Sequence, residues 1–272
     1  MMRTRMFVLS LAVFLLAAMA AQAVTIPVTN KAPRLDVTAD GSSSITFRVE
    51  VGRLEALDVN TKGGGFTRIF IPGFHTSRIE GEPELPMMNR LVSIPVGAKP
   101  RIEVSNVTTS MINLADFGIT NQIMPAQPSL SKSEDPALVP FVYEPAAYGK
   151  DEVRRELVRL VDQGRLRAMD IGRLEISPVA YYPTTGQLEV VESMEVTISY
   201  EGASPAARTE LIARTYSPFF EHLYAGVAGA KGFHDDYPDR VGDVVTMVVV
   251  TPPMFAGQLQ DFVNWKTERG FH

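Results

Sequence analysis

The chain has 272 residues, 45% of them hydrophobic, enough apolar material for one large or two modest packed domains and too much for a disordered polymer. Its 26 basic and 31 acidic residues give a net charge of −5 and form no basic stripe of the density that a phosphate backbone demands, which argues against nucleic acid as a partner. The absence of cysteine removes disulfides, thiolate metal sites and a cysteine nucleophile from these residues, and His75, His222, His234 and His272 include no pair at the one-turn spacing of a helical zinc site, so no cofactor is expected.

Arg3 and Arg5 precede an apolar run over residues 6–20, and Ala21-Gln22-Ala23 supplies the small residues that a signal peptidase needs. The pattern predicts an export signal, residues 1–23, cut after Ala23, giving a secreted product that meets the membrane only in transit. The alternative is an uncleaved anchor, for which the apolar run is short. Residues 24–41 read as an extended arm. Without disulfides an exported domain must draw its stability from its core.

From Ile45 to Val51 apolar and polar residues alternate, the period of a strand with one buried face. Residues 66–71 form a second apolar run, entered through Gly63-Gly64-Gly65 and closed by Pro72-Gly73, so the two runs are expected to pair as a hairpin. Ile102 and Val104 mark another strand. Leu174-Glu175-Ile176, then Leu188-Glu189-Val190 and residues 194–200, continue the pattern around a tight turn at Pro183-Thr184-Thr185-Gly186. Short strands separated by Gly/Pro turns predict a mainly β, antiparallel sandwich or partly open barrel over residues 24–200. Residues 151–161 fit either a helix or a strand. A strand from Leu157 is preferred, with Asp162-Gln163-Gly164-Arg165 as a hairpin turn. Residues 122–148, with five prolines, predict a surface excursion. Residues 201–243, rich in Gly, Ala and Pro, predict a linker.

Few groups suggest chemistry. Glu82 and Glu84 flank Pro83 and read either as an acid and base pair or, preferably, as loop carboxylates that accept hydrogen bonds. His234-Asp235-Asp236 with Asp239 lacks calcium-loop spacing, and Gly226, Gly229 and Gly232 around Lys231 lack the Ser or Thr of a phosphate loop. Asn106-Val107-Thr108 is a glycosylation sequon, and Trp265 with Phe262 reads as helix packing. No nucleophile and base constellation is visible, so catalytic, cofactor-binding and metal residues are all expected to be none.

The end of the chain changes character. Residues 244–250 are an apolar, β-branched run of the kind buried on both faces of a parallel sheet. Thr251-Pro252-Pro253 reads as an N-cap with proline in the first turn, Phe255, Leu259, Phe262 and Val263 recur at helical spacing, and Gly270 is the stop. A strand and a helix are half of a βαβ unit whose second strand should begin at Phe271-His272. Residues 244–272 therefore read as the truncated start of an α/β domain, and the whole as the N-terminal portion of a longer precursor.

Three stretches together resemble one family, the precursors of gingipain-type cysteine peptidases. Gly81-Glu82-Pro83-Glu84-Leu85-Pro86, with the apolar run to Ile94-Pro95-Val96-Gly97, is similar to a motif early in that family's propeptide. Residues 174–186 resemble its late hairpin, where members usually carry Asn at the position of Tyr182. Residues 247–270, above all Phe262-Val263-Asn264-Trp265-Lys266, resemble the opening of the peptidase domain. The resemblance implies a secreted β-sandwich pro-domain ahead of a caspase-like α/β domain whose catalytic His and Cys lie downstream, so this chain should itself be inactive. Its partner would be its own, missing peptidase domain, which it would help to fold and keep latent. The alternative is a self-standing secreted binding or adhesion module. Processing is expected at Arg208, Arg214 or Arg240, with Arg240 preferred, and Arg154, Arg155 and Arg165 are the candidates for an inhibitory side chain.

Overall fold

The computed structural model describes residues 23–216, 218–230 and 246–272, and the apolar run at 6–20 lies outside them. The chain opens with β1 (Val24–Pro27) and β2 (Arg34–Asp40), followed by β3 (Ser44–Glu50), β4 (Arg53–Thr61) and β5 (Gly64–Phe70). A short β6 (His75–Thr76) leads to β7 (Pro86–Ile94) and the long β8 (Lys99–Asn113). After an excursion come β9 (Val158–Leu166), β10 (Met169–Ile176), β11 (Val179–Tyr182) and β12 (Gln187–Glu201).

Every pairing between these strands is antiparallel. One sheet has the order β1-β4-β5, a second β6-β7-β10-β9, and a third β11-β12-β3-β2 with β8 along the free side of β12. Because side chains alternate between faces, each strand offers one apolar row. Those rows meet in a single core that includes Ile26, Phe47, Leu54, Ile69, Leu174 and Val196, all fully buried. Each such side chain contributes about 1.5 to 3 kcal/mol on burial. The fold is mainly antiparallel β, as expected, and its sheets stay open.

The arm at 24–41 is extended, as expected, and is built into the sheets: β1 lies on β4 with Ile26 buried, and β2 edges the third sheet. Several expectations are corrected. The runs at 45–51 and 66–71 do not pair. β3 takes β2 and β12 as neighbours, while β5 pairs with β4, a strand that follows β3 directly past Gly52. The strand from Leu157 is present as β9, but Asp162-Gln163-Gly164 is a bulge. There Ile171 faces Gly164 and Gly172 faces Asp162, leaving Gln163 unpaired. The hairpin turns instead at Arg167 and Ala168, with Arg167 at φ 53°. The turn at 183–186 falls where expected, between β11 and β12.

The tract expected as linker carries defined structure over residues 204–216 and 218–230. Ser204 caps helix α2 (Pro205–Thr215), its Oγ accepting from Ala207 N, and a 3-10 stretch follows at Pro218–Tyr224. Helix α2 is preceded in the chain by the short helix α1 (Pro145–Tyr148). Ile212, Tyr216, Tyr224 and Val227 form a small second core with Ala168 and Met169 at the tip of the β9–β10 hairpin. Ala228 then bridges β7: its N–H donates to Leu91 and its carbonyl accepts from Ser93, both at 2.8 Å. Composition misled here because Ala and Gly suit close helix-to-sheet packing as well as they suit a linker.

At the end of the chain, residues 246–250 are not in a strand, contrary to the expectation for this β-branched run. Helix α3 (Pro253–Ala256) passes through one 3-10 turn into α4 (Gln260–Glu268). Thr251 does not cap it; Pro252 occupies that position without a side-chain bond. Phe255, Phe262, Val263 and Trp265 are exposed, Gly270 ends the helix at φ 86°, and Met247 N–H donates to the His272 carbonyl (2.8 Å).

Candidate functional site

The Gly81–Pro86 motif builds a clamp. Gly81 adopts φ 78°, and a Cβ there would lie 3.1 Å from Glu144 N, so the chain passes closely over the entrance to α1. Backbone bonds from Gly81 to Ala126, from Glu84 to Met124 and from Ala126 to Glu82 lay the motif along residues 124–126. Leu85 plugs the core. The two carboxylates have structural work rather than acid and base chemistry: Glu84 takes Arg68 (3.1 Å) and the Thr76 hydroxyl, while Glu82 takes Arg155 (2.6 Å) and, more loosely, Lys150 (3.9 Å).

From this clamp emerges the excursion, which is anchored at both ends and exposed between them. Ile123, Met124 and Ala126 are buried on one side, and Ala147 and Tyr148 on the other. The Tyr148 hydroxyl donates to the Ile123 carbonyl (2.7 Å), and burial pushes its pKa well above the ordinary tyrosine range. Gln127 closes the base, its amide exchanging two bonds with Val142 (2.8 and 3.0 Å). Phe66, Phe141, Tyr143 and Tyr148 stack in a row, with Phe141 lying against Gly63 where any Cβ would strike the ring. Residues 129–138 stand out into solvent over an open hollow of about 410 Å³, with Leu138 82% exposed and Lys132 exposed and making no ion pair among the described residues.

The three arginines singled out from the sequence are all held by carboxylates of this same domain. Arg154 meets Glu152 and Glu189 (2.5 Å) and lies 3.5 Å from the Tyr182 hydroxyl. Burial disfavours its charge, but Glu189 and Glu152 outweigh that and raise it above the ordinary arginine range. Arg155 is mostly buried against Glu82, with Nε and Nη2 lacking partners. Arg165 makes a two-pronged pair with Asp170 (2.6 and 3.1 Å), which raises its pKa. The sequence missed the network around Tyr182, because its members come from β11, β12 and the segment that precedes β9. Tyr182 supplies a hydroxyl 3.1 Å from Glu189.

Arg208 and Arg214 sit in α2, where Arg214 is exposed and 3.6 Å from Glu210. Arg240, Lys231, Gly232 and the His234-Asp235-Asp236 cluster lie outside the described residues. Ala23 is exposed immediately before β1. Asn106 occupies a bulge at φ 53° and donates to Glu195 (2.8 Å). Among the described residues no group of three or more His, Asp or Glu side chains could hold a metal ion.

The chain belongs to the Propeptide_C25 family, whose model matches residues 29–221. It is similar to Lys-gingipain of Porphyromonas gingivalis, 36% identical over 220 residues, which is 80% of this chain and 13% of that protein. It is also similar to Gingipain R2 of the same organism, 26% identical over 243 residues, 89% of this chain and 32% of that protein. The chain thus spans only a small part of the length of these relatives. A solved structure on the zymogenic latency of gingipain K from P. gingivalis matches with a TM-score of 0.64 at 35% identity, over 67% of this chain and all of that one. The complex of P. gingivalis RgpB pro- and mature domains matches with a TM-score of 0.57 over 73% of this chain and 98% of that one, and at 20% identity it shows the fold alone. The chain is a gingipain propeptide region, and nothing supports the adhesion-module alternative.

Proposed function

We propose that this domain belongs to an exported gingipain-type cysteine endopeptidase, assists its folding and holds it latent by docking on the peptidase domain. The observation that carries the reading is the excursion at 129–138, a braced, solvent-exposed loop offering Lys132 free of any ion pair among the described residues. Arg154, Arg155 and Arg165 remain candidates for the inhibitory side chain. Presenting any of them requires exchanging a carboxylate already in place for one on the peptidase. A free cation on a loop docks without that exchange.

The test is inhibition of mature Lys-gingipain by the purified full chain. The wild type is expected to inhibit, and Lys132→Gln to weaken inhibition by about a hundredfold, the scale of losing a desolvated charge pair. Substituting Arg154, Arg155 and Arg165 together by Ala is expected to lower stability more than affinity. A wild-type chain that leaves the peptidase fully active sinks the reading. Equal loss from the arginine variant, at unchanged stability, returns the role to those residues.

Processing is proposed at Arg240, ahead of the α/β start, with Arg208 and Arg214 as alternatives. A peptidase takes its substrate extended, so a cut at the latter two requires α2 to open. Removal of the export signal after Ala23 would leave the chain beginning on β1. N-terminal sequencing of the matured product is expected to begin at Val241, and a start at Thr209 or Thr215 would move the site into α2.

A further inference from the structure

The excursion buries too little apolar surface to fix its own shape. Leu130 and Leu138 are exposed, and its crown has no strand pairing. A segment of this composition ordinarily opens locally and is cut. One side chain from outside it reaches in. Lys62, in the turn between β4 and β5, places its ammonium within 2.8 Å of the Pro136 carbonyl, 2.7 Å of Ala137 and 3.2 Å of Val139. An ammonium has three protons and no acceptor, so three carbonyls use its full donor capacity. The three oxygens also have to curve around one point, which fixes the arc of residues 136–139.

Lys62 is itself positioned. The Thr61 hydroxyl donates to Gly64 O (2.9 Å) and accepts from Gly63 N (3.1 Å), tightening the turn from which the lysine projects. Gly63 leaves room for Phe141 to lie on the same turn. The crown of the excursion is thus tied to the β4–β5 corner through a lysine and an aromatic ring, independently of the Gln127 clamp at its base.

We propose that Lys62 is a positioning residue that holds the excursion in one backbone conformation, so that a peptidase binds the loop without cutting it. A loop fixed in shape gives up little entropy on docking and cannot relax into the extended geometry that hydrolysis needs. The proposal deepens the latency reading and rests on it for its purpose, while the bracing itself is testable without any gingipain.

The experiment compares the full chain with its Lys62→Met variant, which keeps the aliphatic stem and removes the donors. Lys62 is exposed, so the thermal midpoint is expected to stay within about two degrees. Trypsin is the first probe, with the cut after Lys132 followed by mass spectrometry. Loss of a charged donor should speed that cut about tenfold or more relative to cuts elsewhere. An unchanged rate at Lys132 overturns the bracing whatever the chain does to a peptidase. Mature Lys-gingipain is the second probe. There the variant is expected to inhibit about tenfold more weakly and to be cleaved within residues 129–138 during the assay. If the tryptic difference appears but the wild type fails to inhibit, the brace stands and the latency reading falls. If the wild type inhibits and the variant matches it uncut, the brace has no part in latency and the proposal is wrong.

Discussion

Replacing Glu50 by Gln is expected to destabilise the domain by about 2 kcal/mol at neutral pH, measured by urea denaturation. Glu50 ends β3 fully buried, and its Oε1 receives Lys31 (2.8 Å), Arg48 (2.9 Å) and Arg34 (3.2 Å). Removing the charge leaves three cations facing each other with no counter-charge between them. The loss stays below the 3 to 5 kcal/mol typical of a fully buried pair because the three partners are half-exposed and screened by water. Burial alone would raise the Glu50 pKa, but Lys31, Arg48 and Arg34 outweigh it and bring it from 4.5 to about 2. A carboxylate depressed on folding contributes stability that is fully present above its unfolded pKa and lost as pH falls through the folded one. The wild type should therefore lose more stability than E50Q between pH 4.5 and 2. Parallel pH profiles for the two proteins would remove Glu50 from any part in acid sensitivity.

A larger effect is expected from Gly52→Ala, a loss of about 3 kcal/mol or more. Gly52 has φ 67°, and its carbonyl accepts from Val28 N (2.9 Å) and Thr29 N (2.7 Å), so the β1–β2 connection lies directly on it. An added Cβ would fall 2.2 Å from the Lys31 carbonyl oxygen and 2.9 Å from Ala32 C and Pro33 N, all backbone atoms that cannot rotate away. Gly118→Ala is the control, because Gly118 also has a positive φ (73°) but no atom within 4 Å of the built Cβ. That variant should cost about 1 to 2 kcal/mol, the conformational penalty alone. Equal losses for the two would mean that residues 28–33 do not pack on this corner. The same displacement would carry Lys31 and Arg34 away from Glu50, so the two substitutions are not expected to add.

Which parts of the fold could be read from the sequence follows from how local their causes are. The β11–β12 hairpin was legible because its alternation and its Pro-Thr-Thr-Gly turn are contiguous. β9 was legible in position but not in its turn, since Asp162-Gln163-Gly164 suits a glycine bulge as well as a hairpin. β4 escaped because the chain passes at Gly52 from one sheet to another without a proline or a polar cluster to mark the change. Its neighbour β5 was then matched to the wrong strand. The partnership of β3 with β12 spans some 150 residues, and no local pattern encodes it. At the candidate site, the clamp motif stood out as a string, but its carboxylates were legible only as hydrogen-bonding groups of unknown partners. Arg154, Arg155 and Arg165 drew attention as a basic cluster, whereas their neutralising carboxylates lie far away in sequence at Glu189, Glu82 and Asp170. Lys62 gave no signal at all, being one lysine before a glycine run.

The docking of α2 and of Ala228 bears on what a cut within that tract would accomplish. Ile212, Tyr216, Tyr224 and Val227 belong to one small core with the β9–β10 hairpin, and Ala228 is bonded to β7 on both of its backbone groups. Hydrolysis after Arg214 would sever the peptide bond between two halves of a packed unit, and the halves would stay together as a nicked complex held by the same contacts. Breaking the chain and parting the pieces are then separate events with separate rates, the second governed by how quickly a short helical tail peels from a sheet.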